Sequence, residues 1–194
     1  VKDDRDIFKT GSQGGLFIMQ KSFMDRLMGV VTFKAPIYRE IAEDPSAMQP
    51  AAIIVVAISV ISGLLGGLIG GNLISTLLST VVAALLGWVI GAFLTSVIAN
   101  AVGGKTNPQE MLRISGYTQV FQVLAFIPCV GTIASLVLGI IANVLAIREA
   151  AEVDNTKAII VAVLVALAVF AIATVVTLVL GGGSAALSAL QQPR

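Results

Sequence analysis

The sequence predicts an all-α integral membrane protein, with five transmembrane helices preceded by amphipathic interfacial helices. Three observations carry that expectation. Of 194 residues, 57% are hydrophobic and only 12% charged, about half the charge of an ordinary soluble domain. Residues 51–104, 114–147 and 158–193 contain no Asp, Glu, Lys or Arg. The basic residues outside those blocks alternate in the way that an odd number of crossings requires. The mean hydropathy is +0.97.

Residues 1–21 form the first segment, polar and rich in glycine around Gly11-Ser12-Gln13-Gly14-Gly15, and are expected to be a flexible cytoplasmic lead. They lack a continuous apolar core, so no signal peptide is expected. Residues 22–50 hold two amphipathic helices. Ser22 with Asp25 fits a helix-start capping box, and Phe23, Leu27, Val30 and Val31 follow on one face. Pro36 opens the second helix, Ile37 and Ile41 form its apolar face, and Asp44-Pro45 ends it. Both are expected to lie along the inner membrane surface, either as a structural anchor under the bundle or as a docking platform for a cytosolic partner.

The membrane domain covers residues 51–180. A helical crossing needs about 20 apolar residues, and backbone in lipid must pair with itself. The first block breaks at Gly70-Gly71-Asn72 into spans near 52–70 and 76–99. Pro128 and Gly131 divide the middle block into spans near 114–128 and 131–147. A re-entrant hairpin is the alternative there, and both ends emerge on the same side in either case. The fifth span lies near 158–180, ended by Gly181-Gly182-Gly183, with residues 181–194 as a short outside tail.

Seven basic residues precede the first span, Lys105 and Arg113 follow the second, and Arg148 and Lys157 follow the fourth. With five spans, eleven of the twelve share one side and Arg194 stands alone on the other. Positive charge stays in the cytoplasm, so the amino terminus is expected inside and the carboxyl terminus outside. Lys105, Arg113, Arg148 and Lys157 read as interfacial anchors.

Composition also excludes functions. A net charge of +1 is too balanced for nucleic-acid binding, so no nucleic-acid partner is expected. The sequence has no His, which removes imidazole metal sites, Ser-His triads and His-ligated haem. The single Cys129 closes no internal disulfide. Gly103-Gly104-Lys105-Thr106 ends like a phosphate-binding loop but lacks the first glycine. The carboxylate groups Glu40/Glu43/Asp44 and Glu149/Glu152/Asp154 read as solvated surface charge. No catalytic residue, metal or cofactor is expected, and the chain reads as a non-enzyme.

Two features inside the spans remain. Gly63, Gly67 and Gly71 recur every fourth residue, as do Ala83, Gly87, Gly91 and Thr95. Small faces let helices approach closely in lipid. The plainer reading is packing between the first two spans; the other is a face for a partner subunit or lipid. Asn100, Gln119, Gln122 and Asn143 are the amides, read as interhelical hydrogen-bonding groups or as the lining of a substrate path. No charged group lies deep in the membrane, where ion-coupled transporters usually place one.

The order of these features resembles the prokaryotic branch of the Ypt-interacting-protein (Yip) family of five-span membrane proteins. The resemblance runs over roughly residues 22–180. It rests on Ser22-Phe23-Met24-Asp25-Arg26-Leu27, Phe33 and Pro36, Gly103-Gly104-Lys105, Arg113, Gly116-Tyr117, Pro128, Ala146-Ile147-Arg148-Glu149 and Thr156-Lys157-Ala158. It implies five helices, an inside amino terminus and a prokaryotic inner (plasma) membrane. Eukaryotic members bind small Rab-type GTPases and act in vesicle traffic. The Asp-Leu-Tyr-Gly-Pro motif of that branch is missing, though Gly116-Tyr117 resembles its second motif, so a GTPase partner rests on resemblance alone.

Two functions follow as expectations. The first is a non-enzymatic membrane adaptor or scaffold that contacts lipids and binds another membrane or membrane-associated protein. One form of it is an accessory subunit of a larger membrane complex. The second is a transporter or channel for a neutral or lipidic solute, with Asn100, Gln119, Gln122 and Asn143 lining its cavity.

Overall fold

The computed structural model describes residues 23–190, and side chains through residue 178. The expected lead and Ser22 of the expected capping box lie outside the described residues. All regular structure in the described residues is helical.

Residues 23–31 are helical and form α1; α2 spans Ala35–Glu43. The turn between them holds Phe33 at φ 55, a left-handed conformation that a bulky residue adopts at a cost. The Phe33 ring stacks on Phe121 with centroids 5.2 Å apart, a contact that offsets part of it. Val30, Tyr38 and Ile41 are fully buried, and the Tyr38 hydroxyl donates to the Val30 carbonyl at 3.0 Å. The hairpin packs on two later helices rather than standing apart as a surface layer.

A short 3-10 turn, Pro45–Ala47, leads into α3, Met48–Gly70. Gly71 caps α3 at φ 74, a conformation that suits glycine because it lacks Cβ. Gly71 is therefore a turn residue and not part of a packing face. The next helix, α4, runs Leu73–Ala101 and packs along α3.

The third expected span differs from a single helix over 114–128. Helix α5 starts earlier, at Pro108, and ends at Thr118; a 3-10 segment, Gln119–Phe126, continues it. The start is set by a capping box in which Asn107 and Glu110 satisfy each other's backbone N–H groups. Nineteen residues in the two forms together, at about 1.5 and 2.0 Å each, reach about 32 Å. Tightening into 3-10 form lets a short segment cover the distance of a longer α-helix.

Helix α6, Gly131–Ala150, returns antiparallel. A Cβ at Gly131 would lie 1.9 Å from the Leu124 carbonyl oxygen, so only glycine allows this approach. Helix α7, Asn155–Leu190, runs through Gly181-Gly182-Gly183, which were expected to end it. Glycine costs about 1 kcal/mol in a helix relative to alanine, which weakens a helix without forbidding it.

Among the described residues, four helices, not five, are long and apolar enough to cross a membrane: Pro45–Gly70, Leu73–Ala101, Gly131–Ala150 and Asn155–Leu178. The α5 segment differs because its α-helical part is 11 residues long and polar, with Gln109, Glu110, Arg113 and Ser115.

Candidate functional site

Two places concentrate polar chemistry. The first is the charged end of the bundle, where the α1–α2 hairpin meets α5 and α6. Arg113 of α5 is 6% exposed, and its guanidinium donates to the Ala42 carbonyl at the end of α2. A helix carboxyl end carries unpaired carbonyls and partial negative charge, so Arg113 acts as a cap supplied from another helix. Among the described residues Arg113 Nε and the Tyr117 hydroxyl are buried without hydrogen-bond partners. Beside Arg113, Gly116 sits against Ala51 of α3; a Cβ there would lie 2.7 Å from the Ala51 Cβ. Tyr117 is fully buried and faces Phe23 with centroids 6.2 Å apart.

The outer surface of this end is covered by ion pairs. Arg26 bridges Glu40 at 3.0 Å and also pairs with Asp44. Arg39 pairs with Glu43 at 2.9 Å on its own helix and with Glu152 from the α6–α7 turn. The Ser46 hydroxyl and backbone N–H both donate to Asp44. Those two bonds, followed by Arg26, hold the Asp44 carboxyl down at about 2. Arg148 pairs with Glu149 and donates to Asn155 at 3.0 Å. Lys105 and Lys157 flank the same end; the Lys105 backbone N–H donates to the Ala151 carbonyl at 2.8 Å, and Lys157 Nζ lies 3.6 Å from the position of a Cβ at Gly103.

The second place is a groove of ≈ 550 Å³ between α4, the α5/3-10 segment and α6. Helix α4 contributes Gly87, Trp88, Gly91 and Thr95; α5 and its 3-10 extension contribute Ser115, Thr118, Gln119 and Gln122; α6 contributes Thr132, Ser135, Gly139 and Asn143. A Cβ at Gly87, Gly91 or Gly139 would meet nothing within 4 Å. The Trp88 indole N–H is fixed by the Leu112 carbonyl at 3.0 Å and the Ser115 hydroxyl at 3.1 Å.

The structure thus separates the residues that sequence spacing grouped. Gly63 and Gly67 lie in the α3–α4 contact, where a Cβ would come 2.9 Å from the Leu77 Cα and 2.7 Å from the Leu73 Cα. Gly87 and Gly91 do not touch α3 there; they open the groove. Gln122 donates to Gln119, three residues back in the same segment. Asn143 donates to Gly139 of its own helix at 2.9 Å. Asn100 lies outside the groove: its amide exchanges two bonds with the Thr106 backbone, at 2.8 and 3.0 Å, and closes the loop before α5. Trp88, Ser115, Thr118, Thr132 and Ser135 were not singled out from sequence. Their signal is a small or polar residue every three or four positions on α5 and α6, in register with the Gly87-Gly91-Thr95 face of α4.

Among the described residues, no cluster of three His, Cys, Asp or Glu is placed to hold a metal. Residues 28–177 match the model of the Yip1 domain family. No curated protein and no solved structure matches the chain.

Proposed function

The chain belongs to the Yip1 domain family, and from that membership we propose that it is a membrane adaptor whose α1–α2 hairpin receives another membrane or membrane-associated protein. The family is non-enzymatic, and its members are membrane-trafficking and Rab-interacting proteins. The chain is an all-helical membrane protein of that family. The adaptor role, a place as an accessory subunit of a larger complex, and assignment to the prokaryotic branch and its inner membrane go further.

One observation carries the reading. The hairpin is tied to the bundle by the Arg113 bond to the Ala42 carbonyl and packs around the buried Tyr38, while Arg39 and Glu43 are exposed on its outer face. A surface held by buried contacts and displaying both signs of charge suits selective recognition. A GTPase is one partner of that chemistry.

The topology that goes with it has five crossings, with the hairpin in the cytoplasm and α7 running outward. The length of about 32 Å for α5 with its 3-10 extension supports the fifth crossing, as does the one-sided distribution of basic residues. Lys105, Arg113, Arg148 and Lys157 then lie at the inner interface, and Gly63 and Gly67 serve helix packing within the chain.

The test is site-specific photo-crosslinking in native membranes, from Lys34 and Glu43 on the hairpin and from Phe170 on α7. The adaptor reading expects one protein adduct of constant mass from both hairpin positions, lost on Arg39→Glu, and lipid adducts from Phe170. Lipid adducts alone from all three positions would refute it.

A further inference from the structure

We infer that the groove between α4 and α6 binds the uncharged, hydroxyl-rich head of a membrane lipid, with an acyl chain lying in the apolar furrow that continues from it along α7. This goes beyond the adaptor reading and stands or falls without it.

The lining is the first argument. Eight of eighteen groove residues carry a hydroxyl or carboxamide, and none is charged. The Thr95, Thr118 and Ser135 hydroxyls donate to carbonyls of their own segments and leave their oxygens as acceptors, while the carboxamides of Gln119, Gln122 and Asn143 supply N–H donors; the mixture suits sugar-like hydroxyls, which both donate and accept. A phosphate or ammonium head placed there would be desolvated without a counter-charge, at a heavy cost.

The amides are the second. Gln122 and Asn143 are exposed on the bundle's flank, inside segments flanked by apolar residues. Among the described residues their bonds reach only within their own segments, to Gln119 and Gly139. An amide has two N–H donors and an acceptor oxygen, so most of this capacity faces the groove. Polar groups at membrane depth need partners, and among the described residues no other helix hydrogen-bonds either amide.

Continuity is the third. A second furrow of ≈ 840 Å³ runs between α6 and α7, lined by aliphatic residues such as Ile141, Ile159, Val163 and Val169. Thr95, Ile140, Asn143 and Val165 line both. Polar head space and acyl space are therefore joined at Asn143, which is the shape of a lipid and not of a free sugar. Arg148 at the end of the furrow is already paired with Glu149 and Asn155, so it offers no free cation to an anionic head.

Trp88 is the single tryptophan and lines the groove, so it reports occupancy directly. The full chain is reconstituted in dioleoylphosphatidylcholine vesicles. One set contains dibrominated monoglucosyl-diacylglycerol and the other an equal fraction of dibrominated phosphatidylcholine. Quenching of Trp88 is expected to saturate at a low mole fraction of the glucolipid and to follow bulk mole fraction for the phospholipid. Gln122→Leu combined with Asn143→Leu is expected to weaken the glucolipid preference about tenfold, from two amide bonds in lipid. Gly91→Leu, at a position with open space around its Cβ, is expected to remove the saturable component. Unchanged Trp88 emission without brominated lipid shows that each variant is folded. Equal quenching by both lipids, or saturation that survives both variants, overturns the proposal. So does protection of Trp88 by free methyl glucoside, which would make the ligand a soluble sugar.

Discussion

Replacing Gly67 with alanine sets two opposing effects against each other. Alanine is the better helix former by about 1 kcal/mol. At Gly67, however, the added Cβ would come 2.7 Å from the Leu73 Cα and 3.1 Å from its carbonyl oxygen. Both are backbone atoms, so no side-chain rotation relieves the contact. Helices α3 and α4 must move apart by several tenths of an ångström along the most extensive helix pairing among the described residues. Overpacking of this kind costs about 1–3 kcal/mol, and loss of close approach removes the dispersion that holds helices together in lipid. The net expectation is a loss of about 1–2 kcal/mol. Gly91→Ala is the matched control on α4, because its Cβ meets nothing within 4 Å. It should gain the propensity term and stabilise by up to about 1 kcal/mol. The two variants should therefore differ by about 2–3 kcal/mol, or about 5–10 °C in Tm for a chain of this size. Thermal unfolding in mild detergent, followed by Trp88 emission and by gel filtration of heated samples, measures both. A Gly67→Ala protein as stable as its parent, or a Gly91→Ala protein destabilised to match it, would refute the assignment of these glycines to different surroundings.

Three further outcomes are expected. The Asp44 carboxyl lies at about 2 in the folded protein against an ordinary 3.8. A depressed carboxylate stabilises above its unfolded value and stops doing so as pH falls through the folded one, so this contribution is full above about pH 4 and disappears toward pH 2. Asp44→Asn should flatten that part of the stability profile, and parallel profiles would count against it. Arg113→Met removes a buried cation along with its bond to Ala42; these effects oppose each other. The bundle should melt within about 1 kcal/mol of the parent, while hydrogen exchange at the end of α2 rises; unchanged exchange there would show that Arg113 does not hold the hairpin. Gly131→Ala forces a Cβ toward an oxygen 1.9 Å away and should open the turn between the 3-10 segment and α6. Labelling of Cys129 by a polar maleimide should change in rate, and an unaltered rate would place the strain elsewhere.

Much of the architecture was legible in the residues. The apolar blocks and their breaks coincide with α3, α4 and α6 to within a few residues and with the start of α7, and Pro36 and Asp44 bound α2. The third expected span was harder to read because its polar first half, with Glu110 and Arg113, does not read as membrane helix. Its Arg113 is supplied with a partner by α2, 71 positions away in sequence. Helix α7 runs past the glycine triplet because such a triplet signals a stop in water, where backbone groups find other partners, and is a weaker signal in a long apolar helix.

Hydropathy and charge act residue by residue, through the transfer of each side chain between water and lipid. The order of residues alone therefore establishes a helical membrane chain, its breaks, and the absence of His chemistry. Close approach and enclosure are pairwise and higher-order properties. Two glycine series with the same four-residue spacing are indistinguishable along the chain. Folding set Gly63 and Gly67 against the α4 backbone and left Gly87 and Gly91 beside open space. The amides behave likewise. Asn100 turned to close its own loop, while Gln119, Gln122 and Asn143 came to one groove because three helices from separate stretches of chain converge there.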